Sequence, residues 1–328
     1  MNPSSSPDQR IKMVSLRKVD GRQSSEDKDF LAAEEPLEIQ VEGTSVAVVM
    51  RTPGEDLELA AGFLVTEGLI RHAGDLKEVR HKPHCLGPAR NKAEPVKEPP
   101  LITASGGSAS GNGIESNVID VRLSKPESFD FKRLTRHVFS SSSCGVCSKA
   151  SIAAVQQQFP RVDDRCQIDT ELLVKLPEAL AAAQKTFKRT GGLHACALFD
   201  LAGDLVVLRE DVGRHNALDK VVGWALFNGR LPLSHHVLLL SGRASFEMMQ
   251  KSLAAGIPIV AAISAPSSLA VEFARDSGQT LIGFLRGQKM NIYAGHDRLL
   301  SRIRKNRLSG FKPVRSKKVG SREVRKVR

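Results

Sequence analysis

Apolar and polar positions alternate first at 37–41, where Leu37, Ile39 and Val41 share one face, and again at 45–50 beyond a Glu42-Gly43 turn. That pattern predicts two strands joined as a hairpin. Pro53-Gly54-Glu55-Asp56 then opens a helix with acids in its first turn. Leu57, Ala60, Ala61, Leu64 and Val65 give it an apolar face out to about Ile70. Alternation returns at 117–123, another strand, and the first small domain closes near residue 135. From 193 the period changes. Strands at 193–199 and 204–209 meet at the Gly203 turn, and apolar runs at 236–240, 257–263 and 280–285 are separated by helices at 215–227, 245–255 and 267–275. Continuous apolar strands alternating with helices predict an α/β domain whose sheet is mostly parallel and covered by helices on both faces. The expected organisation is a disordered segment at 1–35, a smaller α+β domain at 36–135 with a flexible Pro- and Gly/Ser-rich insertion at 80–117, an α/β domain at 136–301, and a disordered tail at 302–328.

Composition alters this picture little until the charge is located. The net charge of +12 suggests a nucleic-acid binder, but residues 302–328 hold twelve Lys or Arg against Glu323 alone, so nearly all of the excess sits in the tail and the body is close to neutral. Such a tail attracts RNA, acidic proteins or anionic surfaces non-specifically. No apolar stretch reaches membrane-spanning length, and no export signal is evident, so the expected location is the cytoplasm, with no membrane partner.

Candidate chemistry gathers in two places. The first is Cys144-Gly145-Val146-Cys147, after four serines and before a helix expected over 150–159. A thiol in the first turn of a helix lies beside free N–H groups and the positive end of the macrodipole, which favours the nucleophilic thiolate. Lys149 adds a positive charge. A CxxC can also be half of a zinc site, for which His81-Lys82-Pro83-His84-Cys85 is the nearest second half. Cys196 reads as a small buried hydrophobe on a strand. The second place is the set of strand ends: Arg214 and His215, Ser241-Gly242-Arg243, Ser267, and Arg286 to Asn291. In open α/β sheets ligands bind beyond the carboxyl ends of strands, and guanidinium forks with exposed N–H groups suit phosphate or a purine edge. Each loop alone reads first as an ordinary N-cap or turn, and it is the gathering of four at one end of the sheet that points to a ligand. His215 and Asp219 stand one helical turn apart, a spacing at which the carboxylate can orient the imidazole.

Together these residues resemble the formate dehydrogenase accessory sulfurtransferase family (FdhD-type). The resemblance runs from about 35 to 300 through Arg51-Thr52-Pro53-Gly54, the Ser-Ser-Cys144-Gly-Val-Cys147 loop, Thr190-Gly191-Gly192-Leu193-His194 and the string from Glu210 to Lys220. It continues through Leu240 to Ser245, Ala265 to Ala270, and Gly283-Phe284-Leu285-Arg286-Gly287 with Asn291-Ile292-Tyr293. It implies a sulfurtransferase that takes sulfur from a cysteine desulfurase as a cysteine persulfide and passes it to the molybdenum bis(molybdopterin guanine dinucleotide) cofactor, for insertion into formate dehydrogenase. It implies a homodimer with a cytidine-deaminase-like larger domain, a persulfide on Cys144 with Cys147 one turn along, and a cofactor-binding stretch over Phe284, Leu285, Arg286, Gly287, Gln288 and Lys289. No permanently bound metal is expected, because no His-x-Glu zinc signature accompanies the CxxC. The 80–117 insertion and the basic tail depart from the family pattern. A non-catalytic chaperone that only delivers the molybdenum cofactor is the alternative from a different class. A zinc-dependent nucleic-acid binder is a third.

Overall fold

The computed structural model describes residues 8–83, 117–128 and 159–300. Cys144, Cys147, the expected 150–159 helix but for its last residue, nearly all of the 80–117 insertion, the boundary near 135 and the tail lie outside the described residues. Among the described residues no helix is long and apolar enough to cross a membrane.

The strand Glu35–Val41 (β3) turns at Glu42 and Gly43, both at positive φ, into Thr44–Arg51 (β4). Paired positive φ values match the twist of the flanking strands, so this connection is tight. With Leu76–His81 (β5) and Val118–Leu123 (β6) these strands form a four-stranded sheet of order β4-β3-β6-β5. Its apolar face closes on the helix Asp56–Thr66 (α1), a layer formed by Leu37, Ile39, Ile119, Val121, Leu59 and Leu64.

The larger sheet holds His194–Asp200 (β8), Leu205–Asp211 (β9), His236–Leu240 (β10), Ile259–Ala262 (β11), Thr280–Arg286 (β12) and Lys289–Ala294 (β13), in the order β13-β12-β11-β10-β8-β9. Period-2 alternation sends Cys196, Leu198, Leu238, Leu240, Val260 and Ala262 into one core and Ala197, Phe199, Val237, Leu239, Ile259 and Ala261 into a second on the other face. The first face is covered by Arg214–Phe227 (α5), Phe246–Ala254 (α6) and Ser268–Ser277 (α7). Leu173, Leu176 and Leu180, from Thr170–Leu173 (α2) and Leu176–Ala183 (α3), cover the second. Lys185–Thr190 (α4) follows. The short strands Ile168–Asp169 (β7) and Leu299–Leu300 (β14) pair apart from the main sheet.

Three expectations need correction. The sheet is mixed: β10–β11 and β11–β12 are parallel, whereas β8–β10, β8–β9 and β12–β13 are antiparallel. Burial on both faces yields a continuous apolar run whatever the direction of the neighbours. Residues 1–35 are not uniformly disordered, since Ile11–Asp20 (β1) and Gln23–Ala32 (β2) pair over ten positions through a turn at Gly21. Nearly every position of that ribbon is exposed, so it lacks the alternation that marks a half-buried strand. Finally, the two sheets share one core. Residues from β3 to β6 and from β8 to β13 belong to the same cluster, joined where α1 crosses α5. At that crossing a Cβ on Gly62 would lie 1.8 Å from the Asp219 carbonyl oxygen, and one on Gly223 would lie 1.8 Å from that of Glu58. Only glycine permits the approach.

Candidate functional site

The loops that follow β9, β10, β11 and β12 emerge at one end of the larger sheet, as the sequence predicts. They are stitched together by their backbones. Ser241 N donates to Ala195 O (3.0 Å), Ala244 N to Ala265 O (3.2 Å), Ser267 N to Ala244 O (3.0 Å) and Phe284 N to Ser264 O (3.1 Å). Because β8 runs antiparallel to β10, His194 at its start joins the same end, opposite Asp211.

The Glu210-to-Lys220 string divides between structure and surface. Asp211 and Lys220 are wholly buried 2.8 Å apart. Asp211 also accepts from Thr52 N (3.1 Å), Gly213 N (2.8 Å) and Asn216 Nδ2 (2.9 Å). Lys220 donates to Thr52 O (2.9 Å), and Asn216 to Met50 O (2.7 Å). These bonds lock the Arg51-Thr52 segment of the small sheet onto the first turn of α5, and leave a buried ion pair fully hydrogen-bonded. Arg214 and His215 face the other way, half-buried at the strand ends.

His215 does not rest on Asp219. Asp219 accepts from Thr66 Oγ1 (2.7 Å) and Lys251 Nζ (2.9 and 3.0 Å) in the α1–α5–α6 interior. The carboxylate beside His215 is Glu247, from the first turn of α6, with Oε2 2.8 Å from Nε2. The contact with His215 holds the Glu247 carboxyl well down, at about 2. A partner from a distant helix could not be found by i, i+4 spacing.

His194 was quoted only as part of a motif, yet it belongs to this end. Burial pushes its imidazole below the ordinary histidine value, and Arg214, His215 and Arg243 push it further. Gly242 backs the ring: a Cβ there would lie 3.2 Å from Nδ1. Arg243 is exposed. Arg214 Nε and Ser245 Oγ are buried without a hydrogen-bond partner among the described residues. Ser245 is the N-cap of α6, and its hydroxyl caps nothing. The result is a basin of two guanidinia, two imidazoles, unused donors and the N-termini of α5 and α6, an environment suited to an anion.

The other predicted residues fall in two sets. Ser241 Oγ accepts from Ala195 N (2.8 Å), and Ser267 Oγ caps α7 through Ala270 N (3.2 Å), so both hydroxyls serve the fold. The 284–289 stretch is the tip of the β12–β13 hairpin rather than a simple strand-end loop. Leu285 points into the second core. Arg286 bonds Ile263 O through Nε (2.7 Å), while Gly287, Gln288 and Lys289 are exposed and Asn291 lies on β13 opposite Gly283. Phe284 stands out, with φ of 52° on a bulky residue and a 39% exposed side chain. Such strain persists only where surrounding structure imposes it, and it clusters at ligand sites. A separate cavity of about 400 Å³ between the end of α1 and the end of β6, lined by Arg71, His72 and Lys125 among others, contains none of the predicted residues.

Both described cysteines are buried. Burial pushes the Cys166 thiol up to about 11 and raises that of Cys196 further still. Cys196 behaves as the apolar strand residue expected from the sequence.

A mixed α/β fold with an anion-suited basin at one sheet end defines the class. The chain belongs to the FdhD/NarQ family, whose model matches residues 32–300. It is 48% identical over 297 residues to the sulfur carrier protein FdhD of Streptomyces avermitilis, covering 90% of this chain and 96% of that one. It is 37% identical over 293 residues to that of Saccharolobus solfataricus, covering 88% and 98%. A crystal structure assigned to a formate dehydrogenase accessory protein of Desulfotalea psychrophila shares the fold, with a TM-score of 0.64 at 23% identity over 88% of this chain and 99% of that one.

Proposed function

We propose that this protein is a sulfur carrier that accepts sulfur on Cys144 as a persulfide from a cysteine desulfurase and passes it to the molybdenum bis(molybdopterin guanine dinucleotide) cofactor destined for formate dehydrogenase. The cofactor is substrate here, bound by its guanine dinucleotide arms. The observation that carries the reading is the basin of His194, Arg214, His215 and Arg243, with Arg214 Nε and Ser245 Oγ unpartnered among the described residues. Arg214 is half-buried and Arg243 exposed, and guanidinium groups make strong, directional bonds to phosphate. Phe284, exposed at the neighbouring hairpin tip, offers an aromatic face for a purine. The sulfur half of the reading is supported by its relatives, which are named sulfur carrier proteins, and by the buried, raised thiols of Cys166 and Cys196, neither of them suited to nucleophilic attack. Cys144 attacks the outer sulfur of the donor's persulfide, the donor's cysteine leaves as thiolate, and Cys144 carries the added sulfur. A deaminase-like larger domain, a homodimer and a cytoplasmic location complete the proposal.

Calorimetry with GDP, a fragment of the dinucleotide arm, tests the basin. Arg243→Ala is expected to weaken binding about tenfold or more, the loss of one charge-assisted contact. Folded protein with no affinity for GDP would count against the placement.

A further inference from the structure

We propose that the β1–β2 ribbon is a dimerisation arm, held by the same ribbon of a second copy of this chain about a two-fold axis that runs along the strands. This rests on the homodimer in the reading above and names its contact surface. The ribbon pairs over ten positions, a length of about 34 Å at the antiparallel rise per residue. Its ties to the body gather at the base. Ala33 N donates to Arg10 O (2.8 Å), Lys12 lies 2.8 Å from Glu35, and Asp8 pairs with Arg10 (3.0 Å) and Arg189 (3.7 Å). Arg189, from α4, also sits 5.2 Å over the Phe30 ring. Beyond the Met13–Phe30 pair, Val14 and Leu16 are half-buried and every other position is exposed. A two-stranded ribbon standing alone is marginal in water and needs a further layer against its apolar side. Among the described residues, none supplies that layer along the distal part of the ribbon.

The charges of the ribbon select a second copy as the missing layer. Alternation and register put Val14, Leu16 and Leu31 on one side, between Lys12 and Lys18 along β1 and Asp27 and Asp29 along β2. Asp20, at the tip, is the one acid that β1 adds to this side. Lys18 leans on Asp27 at 3.9 Å, an exposed pair that contributes little by itself. A surface met by its own copy about a two-fold axis has to be complementary to itself. With the axis along the strands, β1 of each copy lies over β2 of the other. Lysines then face aspartates on both margins, and the apolar residues meet between them. Pairing edge to edge would set β1 against β1 or β2 against β2 and bring like charges together, which destabilises. A foreign surface of one sign would match one strand and repel the other. The ribbon's own copy satisfies both.

Sedimentation of the full chain over a dilution series reads the association, and the wild type is expected to dimerise. Replacing residues 14–29 by an Asn-Gly turn across the Met13–Phe30 pair should raise the dimer dissociation constant about tenfold or more and leave the thermal melt of the body unchanged. Lys12→Glu with Lys18→Glu, and Asp27→Lys with Asp29→Lys, should each weaken association as well. None of these four positions stands directly opposite another within the ribbon. An equal mixture of the two charge variants should associate again, because each supplies the charge that the other lacks. In the wild type, amides at 14–29 should exchange about tenfold more slowly at the concentrated end of the series than at the dilute end, a readout independent of how any variant folds. A wild type that stays monomeric throughout overturns the homodimer and the arm together. A dimer that survives the shortening, a mixture that does not recover, or amides that exchange equally fast at both ends would each overturn the arm while leaving the homodimer in place.

Discussion

His194 and Glu247 sit at one sheet end and carry opposite acid-base consequences. Burial and then Arg214, His215 and Arg243 hold His194 below its ordinary value, so near pH 6.5 the unfolded chain binds more protons at this group than the native chain does. Stability at this position is therefore present above that pH and lost as pH falls through it. Glu247 is displaced from 4.5 to about 2 by its contact with His215, so its contribution is complete above about 4.5 and disappears between there and about 2. Thermal melts against pH should show two successive losses. His194→Gln should flatten the upper one and Glu247→Gln the lower. An upper slope unchanged in His194→Gln would mean that burial and the basin cations together do not depress this imidazole.

At the scale of elements, the crossing of α1 and α5 joins the two halves of the molecule. Gly62→Ala or Gly223→Ala would drive a methyl group into the backbone of the partner helix, at 1.8 Å from a carbonyl oxygen in either case. Overpacking of this kind costs about 1–3 kcal/mol, and more where only backbone can yield. A chemical denaturation midpoint unchanged in both variants would contradict the close crossing. The helices α6 and α7 were legible because a 3.6-residue apolar period survives in each, whereas α5, buried on nearly every side, was marked only by its place between apolar strands; the central strands were legible because burial on both faces leaves continuous apolar runs. Strand direction was not legible for the same reason, as β8 reads like a parallel strand while pairing antiparallel with both neighbours. The hairpin β12–β13 was hidden by its polar tip at Gly287-Gln288, and the β1–β2 ribbon by having no buried face.

In the whole molecule, one core spans both sheets, and the loops that bear the charged basin are fixed to it by backbone hydrogen bonds. Arg214, His215 and Arg243 were legible as candidates because they follow apolar strands. Their partners Glu247 and His194 were not, because they arrive from other elements. The string from Glu210 to Lys220 looks uniform in sequence, but Asp211, Asn216 and Lys220 build the junction with the small sheet while Arg214 and His215 face the basin. Cys144 and Cys147, the most informative pair in the sequence, lie outside the described residues, so the central claim is best tested chemically. The full chain is incubated with a cysteine desulfurase and cysteine, and protein-bound sulfur is measured by intact mass and by lability to cyanide. One added sulfur atom is expected, removable by cyanide or reductant, absent from Cys144→Ala, and lost there without change in thermal stability or GDP affinity. A wild-type chain that takes up no sulfur, or a Cys144→Ala variant loaded to the same extent, would contradict the account.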